Sequence, residues 1–179
     1  MTIKTVPFRQ YTKTGCGSYT LANLFNSGDY LVGDFPKEGE NLNDLNKKLN
    51  KLQHDLYLDP IFVVSPYMKY QNRLHLRDVS ILQPDGISQN DSIYPLVIVP
   101  YIVTFSRPNG ALHFVLMLVD VARSRYYIVD SCEEFVNDVN VMAFVREYPV
   151  TSVSVFRSKH SNNRCAYITI SRDEVAHLI

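Results

Sequence analysis

The sequence predicts an α+β fold in which two helices precede a run of antiparallel strands. Apolar residues recur at helical spacing near the start of the chain and again in residues 41–56. Two long runs rich in β-branched residues, 96–105 and 111–121, flank a segment that contains Asn109-Gly110, a signature of a β-hairpin. Because helices and strands are segregated along the chain instead of alternating, an antiparallel sheet is expected.

The first helix is predicted directly after Gly15-Cys16-Gly17 and is expected to end near Gly28. Its apolar positions are Tyr19, Leu21, Leu24 and Phe25. A second helix is predicted over residues 41–56, where five leucines form one stripe and polar residues fill the other face: Leu42, Leu45, Leu49, Leu52 and Leu56. Both helices should therefore pack one face against the sheet.

The remaining elements follow in order after a short apolar run at residues 61–64. Residues 65–92 mix Pro, Gly, Asn and Asp without a period, so they are predicted to be mostly loop. The hairpin of 96–105 and 111–121 continues into a strand at 126–129. Residues 133–148 show helical spacing, and the patterns at 151–156 and 165–170 are typical of strands.

Composition limits the size, the partners and the location of the protein. At 179 residues with 46% apolar composition, the chain can bury one substantial core, so residues 1–179 are predicted to form a single domain. Lys plus Arg equals Asp plus Glu at 18 each, which argues against a nucleic-acid partner. Three cysteines, no signal-peptide pattern and no apolar run of about 18 residues favour a cytoplasmic protein, or one in an intracellularly assembled virus particle, without a membrane partner.

Cys16 is the candidate nucleophile. A thiol attacks as the thiolate, and a helix N-terminus favours the anion because its unpaired backbone N–H groups and its dipole are positive there. The flanking glycines leave room for a substrate carbonyl, whose oxyanion the backbone N–H of Cys16 can bind. Gln10, six residues earlier, is a candidate for the second oxyanion donor. Taken alone, Cys16 could equally be an ordinary buried cysteine at a helix start.

His113 and Asp130 are the candidate base and its orienting carboxylate. His113 begins an apolar strand directly after the hairpin turn, and Asp130 ends the next strand. Since these two strands are antiparallel neighbours, their ends should meet and place both side chains side by side. Asp130 can then accept a hydrogen bond from one ring nitrogen and leave the other facing the thiol.

These residues resemble the papain-like cysteine peptidases, in which the chain order is glutamine, cysteine, histidine and Asp or Asn. The segment Gln10-x5-Cys16-Gly17, followed by a helix, resembles that pattern, and the order is most similar to that of bacteriocin-leader peptidase domains. Locally, His113-Phe114-x-Leu116 and Tyr127-x-Val129-Asp130-Ser131 are similar to the histidine and aspartate segments of ubiquitin-like-modifier proteases and the adenovirus maturation protease, in circularly permuted order. The tryptophan of those families is replaced by Phe114.

The resemblance implies a papain-like fold and a peptidase that cleaves a peptide or isopeptide bond in a protein or peptide substrate. It needs no cofactor and no metal, and His54, His75 and His177 lack partners at metal-ligand spacing. Two alternatives stay open: an amidase or transpeptidase of the same fold, and a structural protein of a virus particle that keeps the scaffold. Cys165 is interpreted as a core or edge residue, Cys132 as a thiol near the site and His160 as a reserve base. The oligomeric state is not encoded in any of these patterns.

Overall fold

An antiparallel seven-stranded sheet organises the computed structural model, which describes residues 3–64, 73–84, 97–108, 111–160 and 167–179. The strands are β1 (Leu56–Val63), β2 (Val97–Ser106), β3 (Leu112–Asp120), β4 (Arg125–Val129), β5 (Asn137–Val139), β6 (Val150–Ser158) and β7 (Ile170–Ser171). The α-helices within these ranges are α1 (Cys16–Phe25), α2 (Leu42–Leu52) and α3 (Val141–Glu147). Short 3₁₀ segments cover Gly28–Leu31, Leu76–Leu82 and Arg172–Val175. The predicted α+β class is confirmed.

The sheet has the strand order β1-β6-β2-β3-β4-β5, and β7 pairs with the first residues of β2. Strand β2 is central, and its residues 97–105 are buried on both faces. Ile98 and Ile102 enter one apolar cluster, whereas Val99 and Val103 enter the other. A strand that is covered on both sides needs apolar residues at every position, which explains the uninterrupted apolar run in the sequence.

Helices cover the two faces of this sheet. Leu21 and Leu24 of α1, with Leu45 and Leu49 of α2, join the cluster that contains Phe114, Leu116 and Leu118 of β3. On the other face, Phe144 and Val145 of α3 join the cluster that contains Val115 and Met117 of the same strand. Successive side chains of β3 point to opposite faces of the sheet, so one set packs with α1 and the other set packs with α3.

Several sequence predictions are confirmed by these elements. The helix after Gly15 occupies Cys16–Phe25, with Leu21 and Leu24 buried and Phe25 half-buried. Strands β2 and β3 pair in antiparallel register from Ile98↔Asp120 to Ser106↔Leu112, as predicted for the hairpin. Residues 109 and 110 of the predicted turn lie outside the described residues.

The predicted helix over residues 133–148 is wrong in its first half. Residues 137–139 form strand β5, which pairs with β4, and the helix begins only at Val141. Asn140 explains the late start, because its side chain accepts a hydrogen bond from the backbone N–H of Ala143 and caps α3. Phe135 and Val136 instead lie beside the N-terminal segment, where Val136 donates to the carbonyl of Lys4.

Two further boundaries differ from the sequence predictions. Leu56 belongs to β1 and not to α2, which ends at Leu52 and is closed by a hydrogen bond from the Gln53 backbone N–H to Leu49. Within residues 167–170, the part of the predicted strand 165–170 that the structure describes, only Ile170 is in a strand, and residues 161–166 lie outside the described residues. None of the helices in the described ranges is long and apolar enough to cross a membrane.

Candidate active site

The side chains of His113 and Asp130 meet at one end of the β3–β4 pair. The register pairs Leu116 with Val129, so the start of β3 lies beside the residue that follows β4. Nε2 of His113 lies 2.7 Å from Oδ1 of Asp130, and the His113 residue is only 2% exposed. The ring of Phe105 packs edge-on against His113 at 5.3 Å between centroids. The carboxylate and the aromatic ring together fix the orientation of the imidazole.

Cys16 reaches the same histidine from α1. It is the first residue of that helix, which contacts β3, and its thiol is close enough to the His113 ring to raise the pKa of the imidazole. Since Nε2 is bonded to Asp130, the nitrogen available to the sulfur is Nδ1. The fold thus brings together three residues from separate segments: Cys16, His113 and Asp130. The Cys16 residue is partly exposed.

His113 and Asp130 each shift the pKa of the other toward the charged form. Burial lowers the pKa of His113, but hydrogen bonds and charges from Asp130 and Cys16 outweigh it, so the pKa lies above its ordinary value. Burial likewise acts to raise the pKa of Asp130, yet the hydrogen bond and charge of His113, the Cys132 backbone N–H and the charge of Arg107 bring it below its ordinary value. The arrangement favours a charged imidazolium beside a charged carboxylate.

Gln10 connects the segment before α1 to the residue after Asp130. Its backbone N–H donates to the Ser131 carbonyl at 2.7 Å, and its Oε1 accepts a hydrogen bond from Ser131 Oγ at 2.9 Å. Its Nε2 donates to the carbonyls of Thr12 at 2.9 Å and Thr14 at 3.4 Å. To bind an oxyanion, the amide would have to break its hydrogen bond to one of these carbonyls and donate to the substrate oxygen instead. The oxyanion role of Gln10 stays a prediction.

Steric constraints require glycine at both positions beside Cys16, Gly15 and Gly17. Gly15 has φ of +96°, and a Cβ there would lie 2.9 Å from the Phe35 ring. A Cβ on Gly17 would lie 2.7 Å from Cδ2 of Leu45, so Gly17 lets α1 pack closely on α2. Both positions are needed to form the turn and to dock the helix that carries the thiol.

Glu40 caps this helix, and the sequence contains no local signal for it. The N-terminal flank of α1 is Gly15, which has no capping side chain. Glu40 Oε1 instead accepts from the Ser18 backbone N–H at 3.0 Å, its Oε2 accepts from the Ser18 hydroxyl, and its side chain is 1% exposed. Lys48 of α2 lies 3.7 Å from Oε2 and balances the charge. Because the partners are 22 residues apart, no capping motif was visible.

Cys132 lies beside Asp130 and Gln10. Its backbone N–H donates to Asp130 Oδ1 at 2.9 Å, and its sulfur lies 3.6 Å from both Gln10 Oε1 and a terminal nitrogen of Arg107. Among the described residues, His113, Asp130 and Cys132 form the group of potential metal ligands, with donor atoms within 4.8 Å of one another. The expectation that Cys132 lies near the site agrees with this position.

The remaining candidates have other surroundings. His160, the reserve base, lies in an exposed ion pair with Asp55 at 2.9 Å. Cys165 lies outside the described residues. Nε2 of His177 donates to the backbone carbonyl of Asn23 in α1 at 2.6 Å.

A cavity of about 430 Å³ opens beside Asp130. Phe105, Phe144 and Tyr148 form its aromatic wall, and four carboxylates line it: Asp130, Glu133, Asp138 and Glu147. Burial is the main reason that the pKa of Tyr148 lies above its ordinary value. Negative charges on nearby carboxylates raise it further: Glu147, Asp130 and Glu133. The approach to Asp130 from this side is therefore negatively charged.

Comparison with known proteins finds no family model, no curated protein and no solved structure that matches this chain. The chemistry and the geometry of the site are consequently the basis for a function.

Proposed function

We propose that this chain is a papain-like cysteine peptidase that hydrolyses a peptide or isopeptide bond with Cys16 as its nucleophile. The observation that supports the proposal most directly is the convergence of Cys16 and Asp130 on one buried ring, in which Nε2 of His113 is bonded to Asp130 and Nδ1 is the nitrogen left for the thiol. This is the relationship that a thiol, a base and an orienting group need for acyl transfer.

The reaction follows from the position of each group. His113 Nδ1 takes the thiol proton, and the Cys16 sulfur attacks the substrate carbonyl. The developing oxyanion is bound by the backbone N–H of Cys16, which has no partner within α1 because it lies in the first turn, and by the amide of Gln10. His113 then gives its proton to the leaving amine, which departs and leaves a thioester on Cys16.

A water molecule completes the cycle. His113 Nδ1 takes a proton from the water, the hydroxide attacks the thioester carbonyl, and the proton returns to the Cys16 sulfur as the acid is released. Asp130 remains ionised throughout and stabilises the imidazolium through Nε2. The low pKa of Asp130 and the raised pKa of His113 suit these roles.

The papain-like fold is part of the same proposal. A helix that begins at the nucleophile and packs on an antiparallel sheet that carries the histidine is consistent with it. The substrate is proposed to be a protein or peptide, and the protein is proposed to act in the cytoplasm or in a virus particle assembled inside the cell.

Labelling with a thiol-reactive acyl-electrophile probe tests the proposal. Incubation of the full chain, followed by peptide mapping, is expected to show modification at Cys16 and loss of that label in His113→Ala. Cys132→Ala and Cys165→Ala serve as matched controls, because each removes one other thiol and should leave Cys16 labelled. Equal labelling of all three cysteines, or labelling of Cys16 that does not depend on His113, would show that Cys16 is not activated.

A further inference from the structure

Three different metal-ligand types meet on the Nε2 side of the His113 ring. The imidazole nitrogen, a carboxylate oxygen of Asp130 and the sulfur of Cys132 all lie within 4.8 Å of one another. His113 is buried, Asp130 is 15% exposed at its side chain, and Cys132 is exposed, so the group opens to solvent on the cysteine side. Metal-ligand spacing was absent from the sequence because His113 lies in β3, whereas the other two residues follow the end of β4.

The donor set has the chemistry of a zinc site. Bonds from Zn²⁺ to His nitrogen and carboxylate oxygen are about 2.0–2.2 Å, and those to cysteine sulfur about 2.3 Å, which places tetrahedral ligands roughly 3.5 Å apart. The observed limit of 4.8 Å lies about 1 Å beyond this value, within the range that an exposed cysteine rotamer can close. Gln10 Oε1, 3.6 Å from the Cys132 sulfur, or a water molecule is in position to supply the fourth ligand.

The electrostatic surroundings also favour a cation. The cavity beside Asp130 is lined by Glu133 and Glu147 in addition to Asp130 itself, so the approach carries negative charge. Arg107 opposes this effect, since its guanidinium lies 3.6 Å from the Cys132 sulfur. That contact is solvent-exposed, and the long side chain can swing away when the metal enters.

We infer that His113 Nε2, Asp130 and Cys132 form a binding site for a divalent cation of the Zn²⁺ type, and that occupation of this site inhibits turnover. The binding site is inferred from geometry alone, whereas the inhibition rests on the proposed peptidase function. A metal on Nε2 displaces the proton that this nitrogen donates to Asp130, and the neutral ring then carries its single proton on Nδ1. The ring then has no free nitrogen with which to deprotonate the thiol or the attacking water, and the enzyme is switched off reversibly.

Cobalt binding tests the site without any requirement for activity. In a Cys16→Ser background, which removes the other thiol at the ring, titration with Co²⁺ alone is expected to produce the near-ultraviolet absorption of a thiolate–cobalt bond. Added Zn²⁺ should abolish that absorption by displacement. The signal should disappear in Cys16→Ser/Cys132→Ala and also in Cys16→Ser/Cys132→Ser, which keeps the size of the side chain.

The matched control is Cys16→Ser/Cys165→Ala, which should keep the full cobalt signal. A signal that survives removal of Cys132, or that disappears with Cys165, would overturn the site. Absence of any cobalt signal in the Cys16→Ser protein would overturn it as well.

Inhibition is tested separately in the protein that retains Cys16. The Zn²⁺ concentration that halves the rate of Cys16-dependent turnover is expected to rise about tenfold or more in Cys132→Ala, with each rate normalised to the same variant without metal. A chelator should restore the rate. Equal sensitivity of both proteins to Zn²⁺ would place inhibition at Cys16 and overturn the inference, yet it would leave the peptidase function intact. Absence of turnover in both the wild type and Cys132→Ala without metal would instead count against the peptidase function. The cobalt titration would still test metal binding at the site.

Discussion

Nε2 of His113 and Oδ1 of Asp130 lie 2.7 Å apart, although 17 residues separate the two in sequence. The antiparallel register of β3 and β4 creates this contact, because it aligns the start of one strand with the end of the next. The bond occupies Nε2 and leaves Nδ1 as the ring nitrogen available to Cys16. Each part of this relationship can be changed by mutation.

Removal of the charge on Asp130 should slow turnover without unfolding the protein. Asp130→Asn keeps the size of the side chain but no longer stabilises the imidazolium, so kcat is expected to fall by about 10²–10⁴-fold. Cys16→Ser and His113→Ala should reduce turnover to the background rate. The measurement is a steady-state assay with a cleavable peptide, with circular dichroism to establish that each variant is folded. Equal activity of Asp130→Asn and the wild type would contradict the orienting role.

Gln10→Ala should lower kcat more than it changes KM if the amide binds the oxyanion. Loss of one such donor costs about 10²–10³-fold in kcat. Ser131→Ala is the matched control, because it removes the hydrogen bond to Gln10 Oε1 and keeps the amide N–H groups. Steady-state kinetics of both variants separate the two effects. A silent Gln10→Ala, or equal losses in the two variants, would mean that Gln10 only fastens the loop.

The His113–Asp130 pair should stabilise the fold most in mildly acidic solution. The raised pKa of His113 contributes stability that is fully present below about pH 6.5 and is lost as the pH rises through the folded-state value. The lowered pKa of Asp130 contributes stability that is present above about pH 4 and is lost as the pH falls through its folded-state value. Both contributions are therefore complete between about pH 4 and 6.5.

Denaturant unfolding of the wild type and Asp130→Asn measures this effect. The wild type is expected to be more stable by about 1.5–3 kcal/mol within that acidic interval, since the lost bond joins charged groups. The difference should shrink at a pH about two units above the ordinary His pKa. Asp138→Asn is the control, because Asp138 pairs with Arg125 in an exposed ion pair that contains no histidine. A difference that does not vary with pH would contradict the coupling.

Glu40→Gln should destabilise the protein through the first turn of α1. The substitution replaces charge-assisted hydrogen bonds to Ser18 by neutral ones and leaves Lys48 without its balancing charge, so a loss of about 1–3 kcal/mol in the free energy of unfolding is expected. Glu38→Gln, an exposed carboxylate two residues earlier, should change this free energy by less than about 0.5 kcal/mol. Thermal and denaturant unfolding measure both. Equal stabilities of the two variants would rule out the cap.

The parts of the fold that could be predicted are those determined by residues close together in the sequence or by consecutive strands. The helix at Cys16 and the β2–β3 pairing follow from local periodicity, and the meeting of His113 and Asp130 follows from the geometry of consecutive antiparallel strands. Residues 137–139 were misassigned because apolar spacing in a short segment does not reveal that β4 offers a free edge. Glu40 was missed for the same kind of reason, since its partner Ser18 is distant in sequence.

The position of the nucleophile on α1 has a consequence for the protein during its own synthesis. Cys16 leaves the ribosome before its proposed base and the carboxylate proposed to orient that base, which lie in β3 and directly after β4. Until β3 and β4 have paired, the thiol has no acceptor for its proton. On the proposed mechanism, the nascent chain therefore becomes active only when β3 has paired with β4.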